Sequence, residues 1–211
     1  MKYTIGLLIL LAVACAKPKE ITASLQTMQE ENKRYNFQAD YPTFEIEALD
    51  SVVIGVVDSY YDRCRKETAE QEHEEWFRPF EVKIIGENEV VNNRYVSVGL
   101  LCYYYAGGAH GMTFNYTYTY DVKEGQLLTI ADLISDNPDE LVYLVKEKLK
   151  AQIGECNWVV KGVEGLESLS KFIITDTAVE FIFNPYEVAA YAYGVQKVSI
   201  TNEEYSFNIE R

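Results

Sequence analysis

Histidine is almost missing from this chain: 211 residues hold 2, His73 and His110. A histidine-rich metal site is thereby excluded, since imidazole is the commonest side-chain donor to transition metals. His73-Glu74 begins like a zincin motif, but no second histidine follows at the required spacing. Its setting, Glu70-Gln71-Glu72-His73-Glu74-Glu75, reads as a solvated charged face. Basic residues are also scarce, 19 Lys and Arg against 33 Asp and Glu, which gives a net charge of -14 and a pI near 4.6. That balance excludes nucleic acid, which needs a basic patch, and favours a basic protein partner or solubility beside an anionic membrane. No phosphate loop, dinucleotide glycine pattern or GxSxG elbow is present. No catalytic residue, metal ligand or cofactor is therefore assigned.

Long apolar runs are lacking as well. The one extended run, Ile5 to Val13, is far shorter than the roughly 20 residues a membrane-spanning helix needs. With Lys2 before it and Leu11-Ala12-Val13-Ala14-Cys15 closing it, residues 1–14 read as a lipoprotein signal peptide and Cys15 as the lipidated cysteine. The competing expectation is an ordinary signal peptide cleaved near Ala14 or Ala16, with Cys15 incidental. Loss of residues 1–14 removes Lys2 as the one charged side chain and leaves -15. The expected location is extracytoplasmic, on a lipid anchor in a bacterial membrane. Beyond Cys15 stand Cys64, Cys102 and Cys156, an odd number with no CxxC pair, and Cys102 is expected to act as a small buried hydrophobe.

What the chain does have is periodicity and tyrosine. Residues 15–34 are polar and read as a tether, followed by one domain over 35–211. Leu49, Val52, Val53, Val56, Val57, Tyr60 and Cys64 recur at three- and four-residue spacing and predict a helix from about Leu49 to Glu72. A strand-rich block runs from Phe80 to about Ile130. In it, Arg94–Tyr105 and Met112–Asp121 form two strands across Gly107-Gly108-Ala109-His110-Gly111. A five-residue loop over Gly107–Gly111 pairs Tyr104 with Phe114 and Cys102 with Tyr116, which puts the apolar residues of both strands on one face. The other face then carries Tyr103 and Tyr105 beside Thr113, Asn115 and Thr117. Asn137-Pro138-Asp139-Glu140 marks a second helix start, with Asn137 capping and Gly154 as the stop. Further strands are expected at Phe172–Thr175, Val179–Phe183 and Val195–Thr201. The fold class is α+β: a mainly antiparallel sheet with two packed helices in a single domain. Seventeen tyrosines suit such strands and a recognition surface.

Three motifs carry a family resemblance. Tyr103-Tyr104-Tyr105-Ala106-Gly107-Gly108-Ala109-His110-Gly111 resembles a Y-x-GGAHG hairpin. Tyr120-Asp121 through Gly125, Leu128, Ile130 and Asp132-Leu133 resembles a D-x-x-x-G-x-x-L-x-L-x-D-L strand-to-helix entry. Phe181 to Gly194, with Asn184-Pro185-Tyr186-Glu187, Ala189 and Tyr191, resembles an F-x-PYE-x-A-x-Y-x-x-G segment. Together they resemble the RsiV-like domain family, found in the extracytoplasmic part of the anti-sigma factor RsiV and the N-terminal region of the peptidoglycan deacetylase PdaC. The resemblance implies an envelope binding module for lysozyme or for cell-wall glycan, and it carries over no catalytic residue. Tyr103, Tyr105, Gly107, Gly108, His110 and Gly111 are the ligand-binding candidates, since loops on a rigid scaffold commonly carry recognition. The alternative expectation is a peptidoglycan-modifying hydrolase using Glu187.

Overall fold

The computed structural model describes residues 20–70, 78–154 and 161–210. The signal segment 1–14, Cys15, His73 and Cys156 lie outside the described residues. The chain begins with strands β1 (Ser24–Glu31) and β2 (Tyr35–Thr43), then helix α1 (Glu47–Glu70). Strands β3 (Phe80–Val91), β4 (Tyr95–Tyr105), β5 (Met112–Asp121) and β6 (Gln126–Leu127) complete a six-stranded sheet in chain order. Every neighbouring pair is antiparallel except β2 and β3. Those two run parallel because α1 carries the chain back across the sheet between them.

The predicted stripe is what holds α1 there. Leu49, Val53, Val56, Val57, Tyr60 and Cys64 are buried against Phe37, Val82, Ile84, Val98, Leu100 and Cys102 of the sheet. Cys64 and Cys102 are free and buried in this core. Burial pushes their thiols up to about 11 and about 12, so both are packing residues and not nucleophiles.

Helices α2 (Ile130–Leu133) and α3 (Pro138–Ile153) lead to a second, antiparallel sheet of β7 (Phe172–Ile174), β8 (Ala178–Phe183) and β9 (Gln196–Thr201). Leu141, Val145 and Leu149 of α3 pack with Phe172, Ile174, Phe181, Phe183, Val198 and Ile200. The second sheet also lies on β4 and β5, on the side away from α1. There the Ile174 N–H donates to Ser97 Oγ at 3.1 Å, and Ser97 shares a buried bond of 2.9 Å with Thr119 Oγ1. The α+β class and the two long packed helices are as the periodicity predicts.

Three local expectations are corrected. The segment read as a tether carries β1, whose eight residues all pair with β2. An edge strand that sets only Met28 against the core has no apolar alternation, so its sequence looks like a linker; on the same face Glu30 accepts hydrogen bonds from the hydroxyls of Tyr35 and Tyr61. In the central hairpin Cys102 pairs with Phe114 and Tyr104 with Met112, a shift of two that preserves which residues share a face. Asn137 precedes α3 but makes no side-chain cap; the Glu140 N–H bonds the Asn137 carbonyl at 3.2 Å instead.

Candidate functional site

The loop between β4 and β5 turns at Gly107 and Gly108, whose φ angles of 91° and 92° favour glycine. Gly111 has a different reason to be glycine: a Cβ there would come within 2.5 Å of the Tyr103 ring. The loop tip from Gly107 to His110 is exposed, while Gly111 is buried. Tyr103 is half-buried beneath it; burial, with the Glu81 carboxylate next to it, raises its hydroxyl pKa. Tyr105 is buried at 9% exposure, donates to the Gly108 carbonyl at 3.2 Å and lies under the Arg78 guanidinium at 5.4 Å. Of the tyrosine pair expected to face a ligand, Tyr105 therefore shapes the loop from below. The Tyr/Thr face as a whole is not open, because the second sheet covers Ser97, Asn115 and Thr119.

What the loop meets instead is the segment after β8. Tyr191 donates its hydroxyl to the Gly111 carbonyl at 3.0 Å, and the His110 ring stacks on Tyr191 at 4.3 Å and 25°. His110 Nδ1 lies 2.9 Å from the same carbonyl. A carbonyl only accepts, so Nδ1 carries the proton and Nε2 is left for other partners. Tyr186 continues the array 5.7 Å from Tyr191, tilted by 30°. Its φ of 72° is unusual for an aromatic residue and sets its ring outward, 46% exposed. His110, Tyr191 and Tyr186 thus form one aromatic platform built from two chain segments. Tyr186 and Tyr191 were visible in the sequence as motif residues, but nothing local says that they lie beside His110.

A polar chain holds the second segment in place. Lys171 Nζ pairs with Glu187 Oε1 at 3.0 Å. Glu187 accepts the Asn184 backbone N–H at 2.8 Å and its side-chain amide at 3.3 Å. Asn184 Oδ1 then accepts from Asn115 of β5, at 2.7 Å from the backbone N and 3.0 Å from Nδ2. Glu187 is engaged as a brace, which leaves the hydrolase expectation without a free carboxylate at that position.

A family profile described as "Deacetylase PdaC" matches residues 28–113, and one described as "Protein of unknown function (DUF3298)" matches residues 131–203. The peptidoglycan-N-acetylmuramic acid deacetylase PdaC of Bacillus subtilis (strain 168) is 27% identical over 187 residues, covering 83% of this chain and 39% of that protein. In these two stretches the chain is similar to the PdaC/RsiV-like domain family. It spans 39% of the deacetylase's length, and its likeness to that protein concerns that part. Two solved structures share the fold. A DUF3298 family protein from Pseudomonas aeruginosa PAO1 aligns with a TM-score of 0.63 at 15% identity, over 88% of this chain and 93% of the other. A DUF3298 member from Bacteroides fragilis NCTC 9343 gives 0.59 at 14% identity, over 90% and 95%. The first matched stretch ends at the GGAHG loop and the second contains the PYE segment, so the platform forms where the two meet.

Proposed function

We propose that this domain is a lipid-anchored envelope binding module that holds cell-wall glycan on the platform of His110, Tyr191 and Tyr186. The observation that carries it is the stacked and exposed array at the junction of the two family motifs. Pyranose rings present flat C–H faces that pack on aromatic rings, while tyrosine hydroxyls and imidazole nitrogen serve the sugar hydroxyls. The deacetylase relative acts on peptidoglycan by its name, which fits a glycan at this site. A deacetylase activity in this chain has no such support. The net charge of -14 favours a second reading, in which the domain captures a basic protein such as lysozyme.

The decisive experiment is co-sedimentation with purified peptidoglycan. The wild-type chain is expected in the pellet, and Tyr186→Ala or His110→Ala should weaken retention about tenfold without lowering the melting temperature, as for a hot-spot contact. Unchanged retention in both variants would overturn the platform. Capture of lysozyme at moderate salt, with no retention on peptidoglycan, would replace the glycan by the protein. The anchor has its own check. Cys15→Ala is expected to move the protein from the membrane fraction to the soluble fraction and to abolish labelling by radioactive fatty acid; continued labelling would exclude Cys15 as the lipidated residue.

A further inference from the structure

The second sheet leaves part of the inner face of β3 and β4 uncovered. A cleft of about 350 Å³ opens there, walled by Ile85, Leu101, Ile173 and Ile182, with Asn115 as its uncharged polar member and Lys197 among its charged ones. That volume is in the range of small-ligand sites. Ile85 and Leu101 are 38% and 39% exposed, unusual for large aliphatic side chains in the middle of a sheet. The segment that carries Tyr186 and Tyr191 borders this cleft too, through Asn184 on Asn115 and through Val195 in its wall.

One polar acceptor faces this cleft without a protein partner among the described residues. Asn115 is 9% exposed, and its amide orientation is dictated from a distance. Glu187 can only accept, so Asn184 turns its Nδ2 towards Glu187 and its Oδ1 towards Asn115, and Asn115 turns its Nδ2 towards Asn184. Asn115 Oδ1 is left with no hydrogen-bond partner among the described residues. A lone amide acceptor in a mostly aliphatic wall is a specific place for a donor.

We propose that this cleft takes the acetamido group of an N-acetylated amino sugar. The methyl packs among Ile85, Leu101, Ile173 and Ile182. The amide N–H donates to Asn115 Oδ1 in the cleft wall. The inference rests on the glycan reading and narrows it: the platform holds the sugar face, and the cleft selects for the acetyl group.

Calorimetric titration of the purified chain with tri-N-acetylchitotriose and with its fully de-N-acetylated counterpart tests this. The de-N-acetylated trimer is cationic, so the charge of -14 alone would favour it. A preference for the acetylated trimer of about tenfold or more is expected, and it cannot come from net charge. Leu101→Trp, at an exposed position that tolerates bulk, fills the cleft and should abolish the preference. Equal binding of the two trimers, binding of neither, or a preference that survives Leu101→Trp overturns the cleft. Peptidoglycan sedimentation separates the two proposals: retention that depends on Tyr186, with no trimer preference, leaves the platform standing and removes the cleft.

Discussion

Replacing Asp121 by alanine is expected to destabilise the fold by about 3–5 kcal/mol: it breaks a largely buried ion pair and strips the acceptor from two backbone donors, while Arg94 keeps only the exposed Glu210. Asp121 is 2% exposed. Its carboxylate accepts from Arg94 Nε at 3.1 and 3.2 Å and from Nη2 at 2.8 Å, a bidentate arrangement. It also accepts the backbone N–H of Lys123 at 2.8 Å and of Glu124 at 3.2 Å, while the Gly125 N–H bonds the Asp121 carbonyl at 2.8 Å. The D-x-x-x-G motif is thus a turn tied down by one carboxylate. Burial pushes that carboxyl up, but the Arg94 bonds and the two backbone donors outweigh it and hold its pKa below the ordinary 3.8. A depressed folded pKa contributes stability that is complete above the unfolded value and is lost as pH falls through the folded one. Thermal melts should therefore show wild type well above Asp121→Ala at neutral pH, with the gap closing below about pH 4. A gap independent of pH would mean that the Arg94 pair does not carry the effect.

Much of this architecture was legible because it obeys simple periods. The stripe from Leu49 to Cys64 located α1, and it packs where an apolar stripe must. The alternation in β4 and β5 fixed which residues share a face, because parity survives a shift of two. The exact register was not legible. It depends on Gly111 lying back against the Tyr103 ring rather than in the turn, a close approach that spacing does not encode. Nor was β1 legible, since a mostly exposed edge strand with Met28 alone against the core carries no apolar pattern. The candidate site was half visible. His110 and the glycines stood out as a loop, but Tyr191 joins them from 80 residues away. The cleft depends on amide orientations and on the second sheet, which no local pattern states.

Asn184 is where the two motifs are fastened together, and changing it should have the other large effect. Asn184→Ala strips a buried acceptor from both the backbone N–H and the side-chain amide of Asn115. Two buried donors left unpaired cost about 2–5 kcal/mol together. The segment carrying Tyr186 and Tyr191 loses its tie to β5, so retention on peptidoglycan should fall at least as far as in Tyr186→Ala. Asn184→Asp is the more discriminating change. It keeps an acceptor for Asn115 but replaces the amide that donates to Glu187 Oε1 at 3.3 Å with a second carboxylate. Two carboxylates that close cannot both ionise cheaply, so the pair's upper pKa rises in the folded state. A raised carboxyl pKa makes stability increase as pH falls through it. Asn184→Asp should therefore melt well below wild type at about pH 7 and recover part of the difference by about pH 5, whereas Asn184→Ala recovers none of it. If both variants keep the same deficit across that range, residue 184 and Glu187 share no proton. The brace that orients Asn115, and with it the acceptor offered to the cleft, would then have to be drawn differently.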